Sequence, residues 1–242
     1  SKEAGIGGRG DGLSVTWWDA NADGLMDIYV GNDMISQDKF YMNLGDGTFR
    51  NEIEERIPHS SWFSMGADFG DLNNDGQMDF LIADMSATNH FKQKTTMGVM
   101  GGPILKAANT SRPPQYMRNA LYIGTGTGRF LEGAFLAGLD STDWTWAVKI
   151  SDFDNDGWQD VFVTNGTARA MNDSDYTFTA EQLRSHHEWY YLKSLPRREE
   201  RNHVMRNSAS GFGFADASED WGLGKEGVSY GAATGDLDRD GD

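Results

Sequence analysis

Cysteine is absent from the chain, and basic residues and long apolar runs are scarce. Without cysteine there is no disulfide and no cysteine nucleophile. Lysine and arginine number 21 against 37 aspartate and glutamate residues, which gives a net charge of −16 over 242 residues. This balance argues against nucleic acid or anionic membranes as partners, because both are bound through basic patches. No apolar run approaches the roughly 20 residues of a membrane-spanning helix, so we expect no membrane insertion.

Glycine and aromatic residues are abundant instead. The chain has 30 glycines, 8 tryptophans, 8 tyrosines and 13 phenylalanines. Many turns together with many aromatic side chains are typical of a β-protein with tight connections between strands. We therefore expect an all-β fold.

The most informative pattern is an acidic nonapeptide that occurs four times. Aspartate or asparagine fills positions one, three and five, glycine fills position six, and aspartate fills position nine. The copies span residues 19–27, 71–79, 152–160 and 236–242, and the last copy ends at its seventh position. Oxygen ligands around a glycine turn are typical of calcium loops, so the pattern predicts bound Ca²⁺. The alternative is a set of Asx turns that need no ion, although the three complete copies would then crowd ten carboxylates without compensation.

The predicted ligands are the side chains at positions one, three, five and nine and the backbone carbonyl at position seven. They are Asp19, Asn21, Asp23, Leu25 and Asp27 in the first loop; Asp71, Asn73, Asp75, Gln77 and Asp79 in the second; Asp152, Asp154, Asp156, Trp158 and Asp160 in the third; and Asp236, Asp238, Asp240 and Asp242 in the fourth.

The spacing of the loops indicates a repeat. Their first residues lie 52, 81 and 84 positions apart, and a period near 50 favours a propeller with insertions in the longer intervals. Alternating segments precede the loops, at 15–18, 67–70, 148–151 and 232–235, and apolar runs follow at 28–30, 80–82 and 161–163. Each loop is thus predicted to join two strands. A second hairpin follows each pair, at 40–49, 121–130 and 204–214, which completes a four-stranded blade.

Three runs carry a family resemblance: residues 75–85, residues 143–147 and residues 163–166. With the Asp loops, they make the chain resemble the FG-GAP/VCBS-repeat calcium-binding β-propellers and, more narrowly, bacterial exported proteins of the ASPIC/UnbV and cartilage-acidic-protein type. The resemblance implies one domain over residues 1–242, a partial propeller of about three to four blades from a larger one. We expect either a longer polypeptide or several copies that complete one another.

Two insertions interrupt the predicted blades. Residues 86–118 form a long loop for which we weigh rim covering against partner binding. Residues 167–203 contain a capping-box pattern, Thr179 with Gln182, which predicts a helix from Ala180 to Leu195.

No catalytic motif stands out, so we expect no enzyme. The favoured function is a calcium-stabilised extracellular scaffold for protein or glycan interaction, adhesion or surface assembly. A polysaccharide-active enzyme or lectin is one alternative, and a subunit of an extracellular fibre or matrix is another. The predicted location is secreted, cell-surface or periplasmic, with a signal peptide lying outside these residues.

Overall fold

The computed structural model describes the chain apart from residues 1, 9, 35, 97–105, 107–109, 177, 186, 188, 210–211, 237 and 239–242. The described part is mostly β-structure, as the composition predicts. Three antiparallel sheets of four or five strands follow one another along the chain, and each begins at a strand that leads into an Asp loop. The described residues also form two further pairs of short strands.

The first sheet has its four strands in sequence order. The first predicted hairpin forms around loop 19–27 and joins the first two strands. The second predicted hairpin joins the third and fourth strands. The strands are β1 (Gly12–Trp18), β2 (Asp27–Asn32), β3 (Lys39–Asn43) and β4 (Phe49–Asn51).

The second sheet repeats this arrangement as β6-β7-β10-β11. Loop 71–79 joins its first two strands, and the predicted hairpin at 121–130 joins its last two. The strands of this region are β5 (Ser60–Ser61), β6 (Gly66–Gly70), β7 (Asp79–Ala83), β8 (Met85–Ser86), β9 (Gln115–Tyr116), β10 (Ala120–Gly124) and β11 (Phe130–Glu132).

The third sheet is β12-β13-β15-β16, with β8 from the preceding unit added beside β12. Loop 152–160 again joins the first two strands. The strands of this region are β12 (Asp143–Ser151), β13 (Asp160–Asn165), β14 (Glu200–Arg201), β15 (His203–Asn207), β16 (Phe214–Asp216) and β17 (Glu226–Gly227), of which β14 and β17 pair with each other in a separate two-stranded sheet.

Helices are short and lie outside the sheets. They are Ile53–Arg56, His90–Thr95, Ala134–Ala137, Ala180–Ser185 and Trp189–Leu192. The capping box forms as predicted, because Thr179 N–H donates to Gln182 Oε1 at 2.8 Å and Gln182 N–H donates to Thr179 Oγ1 at 3.2 Å. The helix predicted over 180–195 is instead divided into two short helices. In the other insertion, residues 97–105 and 107–109 lie outside the described part of the chain.

The first two sheets pack through aromatic side chains. Phe80 of β7 is buried among five rings, with centroids 4.5 Å from Tyr122 and 5.0 Å from Trp18. The second and third sheets pack through aliphatic side chains, including Leu81, Val148 and Val161. Residues alternate between these two cores along β7 and β10 of the second sheet, as the two-residue period of a strand requires. The second sheet is therefore a blade with a neighbour on each face, and the described chain is a partial β-propeller.

The fourth unit departs from the prediction. Residues 232–235 were expected to form a strand, but they have no assigned strand in the structure. A strand requires hydrogen bonds to a neighbour, and no ladder partner for this segment lies among the described residues. Across the part of the chain that the structure describes, no helix is long and apolar enough to span a membrane.

Candidate metal centres

The three complete Asp loops lie at one end of the blades, which we call the Asp-loop rim (residues 19–27, 71–79 and 152–160). Adjacent loops are neighbours in space. Asn74 Nδ2 of the second loop donates to the carbonyl of Gly157 in the third at 3.0 Å. The first and second loops share a cavity of about 360 Å³, lined in part by Asp19, Gln77 and Arg129. The repeat therefore brings the predicted ligand sets together along one rim.

The backbone of each loop turns sharply at the same two positions. Position four has positive φ in all three loops, at Ala22 (57°), Asn74 (54°) and Asn155 (58°). Position six is a glycine with φ between 83° and 87° in all three. Left-handed backbone is unfavourable for most residues and readily adopted by glycine, which explains the fixed glycine of the pattern.

The turn presents N–H groups to the aspartate at position one. In the second loop, Asp75 N–H donates to Asp71 Oδ1 at 3.1 Å and Gly76 N–H donates to Oδ2 at 2.8 Å. The first and third loops make the same pair of bonds to Asp19 and Asp152. The first-position carboxylate thus stabilises the turn by accepting two backbone hydrogen bonds within the loop.

The aspartate at position five faces the residue at position seven. The N–H groups of Leu25, Gln77 and Trp158 donate to the fifth-position Oδ1 at 2.8, 2.8 and 2.9 Å. Residue seven is therefore folded close to the ligand set, where the sequence places a carbonyl ligand. That carbonyl coordination stays a prediction.

The ninth-position aspartates join the loop to the next hairpin. Asp27, Asp79 and Asp160 are fully buried. One oxygen of Asp79 accepts from Leu72 N–H at 3.1 Å inside the loop, and the other accepts from Gly124 N–H at 2.8 Å on β10. Asp27 and Asp160 make the same two kinds of bond. Their bonds to the third strand come from the N–H groups of Asn43 on β3 and Asn207 on β15, respectively. Each loop is thereby tied to the third strand of its own blade.

Burial also raises the pKa values of these ninth-position carboxyls. Burial raises the pKa of Asp79 to about 7 against the lowering effect of its two N–H donors, and the charges of Asp75 and Asp71 add to the rise. The pKa values of Asp27 and Asp160 are raised for the same reasons. Crowded carboxylates with raised pKa values favour the presence of a cation.

The third loop offers the most complete cation geometry. Asp152, Asp154 and Asp156 each place a carboxylate oxygen within 4.8 Å of the others. Asp154 Oδ1 is buried and accepts no hydrogen bond in the structure, while a buried acceptor without a donor costs about 1–3 kcal/mol. An oxygen-only donor set around an unpartnered carboxylate oxygen fits a hard divalent cation of the size of Ca²⁺.

The fourth loop is described only in part. Asp236 and Asp238 lie within the described residues, whereas Asp240 and Asp242 lie outside them. Asp236 lines a cavity of about 540 Å³ together with Asp152 of the third loop. The described part of the fourth loop thus continues the Asp-loop rim beyond the third blade.

Sequence reasoning missed a second set of aspartates, at the opposite end of the blades. Asp38 and Asp84 are fully buried there. Asp38 accepts from Tyr29 Oη at 2.6 Å, Ser64 Oγ at 2.6 Å and Asn32 N–H at 2.7 Å. We call this end the opposite rim. An aspartate placed directly after a buried apolar strand, as Asp84 is after β7, was the signal available in the sequence.

Asp84 forms hydrogen bonds with residues 61–63 of the connecting segment 61–64, which lies between the first two blades. Its Oδ2 accepts from Ser61 Oγ at 2.6 Å and from the N–H groups of Trp62 and Phe63 at 2.9 and 3.1 Å. Ser64, three residues after Ser61, is bonded to Asp38 of the first blade. The segment is therefore anchored to both blades by buried carboxylates. Burial raises the pKa of Asp38 to about 6 and that of Asp84 to about 7, although their donors oppose the rise.

A third aspartate at the opposite rim, Asp143, is paired with a cation. Lys92 Nζ lies 2.6 Å from its Oδ2, and Thr88 donates to Oδ1 from both its N–H and its hydroxyl. His203 and Lys92 hold the pKa of Asp143 well below its usual range, although burial opposes them. This group joins the helix His90–Thr95 of the first insertion to the third blade.

Comparison with known families gives one match. The model of a family described as FG-GAP-like repeat matches residues 5–82 and 108–163, more than half of the chain. All three complete Asp loops fall within the matched segments. No curated protein matches the chain.

Proposed function

The chain belongs to the FG-GAP-like repeat family, and on that basis we propose that it is a non-enzymatic, calcium-stabilised scaffold for protein or glycan interaction outside the cell. A propeller-type scaffold follows from the repeats and the partial β-propeller fold. The calcium, the extracellular location and the absence of catalysis are proposals. The single observation that supports calcium most is Asp154 Oδ1, a buried oxygen without a donor in a cluster of three carboxylates.

Calcium would cross-link the strands of a blade. Each loop joins the first two strands of a blade, and its ninth aspartate reaches the third strand. An ion held by positions one, three, five and nine would therefore link three strands of the same blade. Because such a ligand set does not exist in the unfolded chain, the free energy of binding adds to the free energy of folding.

The proposed location follows from the same chemistry. Extracellular calcium modules bind at about 10⁻⁴–10⁻³ M, a concentration found outside cells and not in the cytosol. A chain without cysteine that relies on repeated metal loops suits export, since it gains its cross-links from ions. The narrower resemblance to bacterial exported ASPIC/UnbV proteins is part of this proposal, with secretion, display at the cell surface or a periplasmic site as its possible forms.

Calorimetric titration of the chelated protein with Ca²⁺ tests the proposal. We expect at least three bound ions and the loss of about one when Asp75 is replaced by Asn. Asp46→Asn is the matched control, because Asp46 lies in the exposed turn between β3 and β4 and its carboxylate accepts from Thr48, outside the Asp loops. Absence of calcium binding at millimolar concentration, or equal stoichiometry in D75N and the unmodified chain, would contradict the proposal.

A specific observation favours surface assembly as a second candidate function. On β1, Val15 and Trp17 are 58% and 52% exposed. Counting back from the Asp loops, their equivalents in the third blade are Val148 and Ile150, which are buried at 2% and 9% against the second blade. In the second blade the equivalent Phe69 packs on the first. The first blade thus exposes the face with which the other two contact a preceding blade.

We propose that a second copy of the chain covers this face, with its third blade in the position that a preceding blade takes against the second and third blades. Such a head-to-tail contact is heterologous and would build rings or filaments. Sedimentation at increasing protein concentration, with calcium present, tests it. We expect Trp17→Ser to reduce self-association, while Trp189→Ser, which changes an equally exposed ring in the second insertion, leaves it unchanged. A chain that stays monomeric, or equal association in both variants, would contradict the proposal.

A further inference from the structure

The third Asp loop differs from the first two at two positions that lie together in space. At loop position three it has Asp154, where the other loops have Asn21 and Asn73. On the third strand of its blade it has Arg206, where the other blades have Met42 and Ile123. These three residues are equivalent because each precedes the residue whose N–H donates to the ninth-position aspartate.

The two changes compensate each other in hydrogen bonding. In the first loop, Asn21 Nδ2 donates to Asp23 Oδ2 at 2.9 Å, and in the second, Asn73 Nδ2 donates to Asp75 Oδ2 at 3.0 Å. Asp154 has no such donor. In the third loop, Arg206 Nη2 donates to Asp156 Oδ2 at 3.1 Å and thus supplies the missing bond from another strand.

The changes also compensate each other in charge. The first and second loops each contain three carboxylates, and the third contains four. Arg206 Nη2 lies 2.6 Å from Asp154 Oδ2 as well as 3.1 Å from Asp156 Oδ2. With the guanidinium included, all three loops carry the same net charge of −3. The other oxygen of Asp154, Oδ1, remains turned inward without a donor.

We propose that Arg206 is a tethered counter-charge that lowers the cation affinity of the third loop and stabilises that loop when no ion is bound. This inference rests on the proposed calcium function for its affinity part. A fixed positive charge a few ångströms from the ligand oxygens repels an incoming Ca²⁺, and the same charge offsets carboxylate repulsion in the empty loop. The side chain of Arg206 is 48% exposed, so solvent and salt weaken both effects.

The test compares Arg206→Met with the unmodified protein, because methionine is the residue that the first blade has at this position. In low salt we expect the affinity of one calcium site to rise by roughly 3–10-fold, and the rise to shrink at high salt, as screening requires. In chelator we expect R206M to unfold at a lower temperature. Arg197→Met is the matched control, since Arg197 pairs with Glu199, has a side chain that is 58% exposed and lies in the second insertion.

A second substitution assigns the effect to the third loop. Asp154→Asn alone should weaken one site, because it leaves the counter-charge with one carboxylate fewer. The double variant Asp154→Asn with Arg206→Met gives the third blade the residues that the first blade has at these two positions, and the affinity of its loop should return to within about 2-fold of the unmodified site.

The outcomes separate the two proposals. Absence of any calcium binding in the unmodified chain would overturn the calcium function, while a lower melting temperature of R206M in chelator would still support the counter-charge. Normal calcium binding with unchanged or weaker affinity in R206M would overturn the role of Arg206 and leave the calcium function standing.

Discussion

The Asp-loop rim and the opposite rim both contain several aspartates, but the hydrogen-bond donors to these carboxylates differ between the two rims. At the Asp-loop rim the carboxylates share a few backbone donors, and in the third loop Asp154 Oδ1 has none. At the opposite rim Asp38 and Asp84 are fully buried, and hydroxyl and N–H groups of the protein satisfy them. The difference indicates that aspartates at strand ends can be satisfied by protein groups alone, as at the opposite rim, or can keep an unpartnered oxygen, as in the loop where we propose that an ion binds.

Removal of calcium should give the largest effect and should act on the Asp-loop rim alone. At a free concentration of 100 times the dissociation constant, each site stabilises the fold by about 2.7 kcal/mol, so three sites contribute up to about 8 kcal/mol. We expect chelation to lower the melting temperature by roughly 15–30 °C in calorimetry, given a shift of about 2–4 °C per kcal/mol for a chain of this size. An unchanged melt in chelator would remove the distinction between the rims.

Replacing Asp84 by Ala should be the largest change at the opposite rim. The substitution leaves the donors of Ser61, Trp62 and Phe63 buried without an acceptor, and we expect a loss of about 3–5 kcal/mol in the free energy of unfolding. Denaturant titration should give the same loss with calcium and with chelator. A loss that appears in calcium only would show that the two rims are coupled.

The pH dependence of stability should reveal the contribution of Asp38 at the opposite rim. The pKa of Asp38 rises to about 6 in the folded protein from its usual 3.8, so the folded state binds a proton that the unfolded chain releases. The associated stabilisation is complete below the unfolded pKa and is lost as the pH rises through about 6, by roughly 3 kcal/mol in all. We expect Asp38→Asn to remove this part of the slope between pH 4 and 7, measured as the difference in unfolding free energy from the unmodified chain. An identical slope in both proteins would contradict the assignment.

The smallest expected effect concerns the fourth position of the first loop. Ala22 has positive φ, as Asn74 and Asn155 do, but alanine tolerates this conformation less well than asparagine. We expect Ala22→Asn to raise the free energy of unfolding by about 0.5 kcal/mol. Ala168→Asn, at an exposed position outside the loops, is the control. Equal effects at both positions would show that the backbone strain at Ala22 is negligible.

Much of the fold could be predicted from the sequence. The Asp loops and the alternating or apolar runs beside them specify hairpins through local turn chemistry and residue periodicity, and the family match agrees with them. The hairpins around the three complete loops and the three outer hairpins are confirmed. Sequence periodicity did not give the two separate helices Ala180–Ser185 and Trp189–Leu192 or the absence of a strand at 232–235, since a strand depends on hydrogen bonds to a neighbouring segment.

The Asp loops were also recognisable as a set, although calcium binding by them remains a prediction. Their spacing identifies the candidate ligands, since the ligand atoms are contributed within nine consecutive residues. Arg206 was not recognisable, because it lies 50 residues from Asp156 along the chain and reaches it only when β15 pairs with β13. Asp38 and Asp84 escaped notice for the same reason, as their donors come from other strands and loops.

The sequence by itself determined the turns, the strands and the positions of the acidic loops, because each depends on residues close together in the chain. Only the tertiary structure decided which aspartates are satisfied by protein donors and which carry an unpartnered oxygen. It also decided that an arginine balances the fourth carboxylate of the third loop. Hydrogen bonds and charge compensation depend on distance in space, and distance in space is fixed only when the blades pack together.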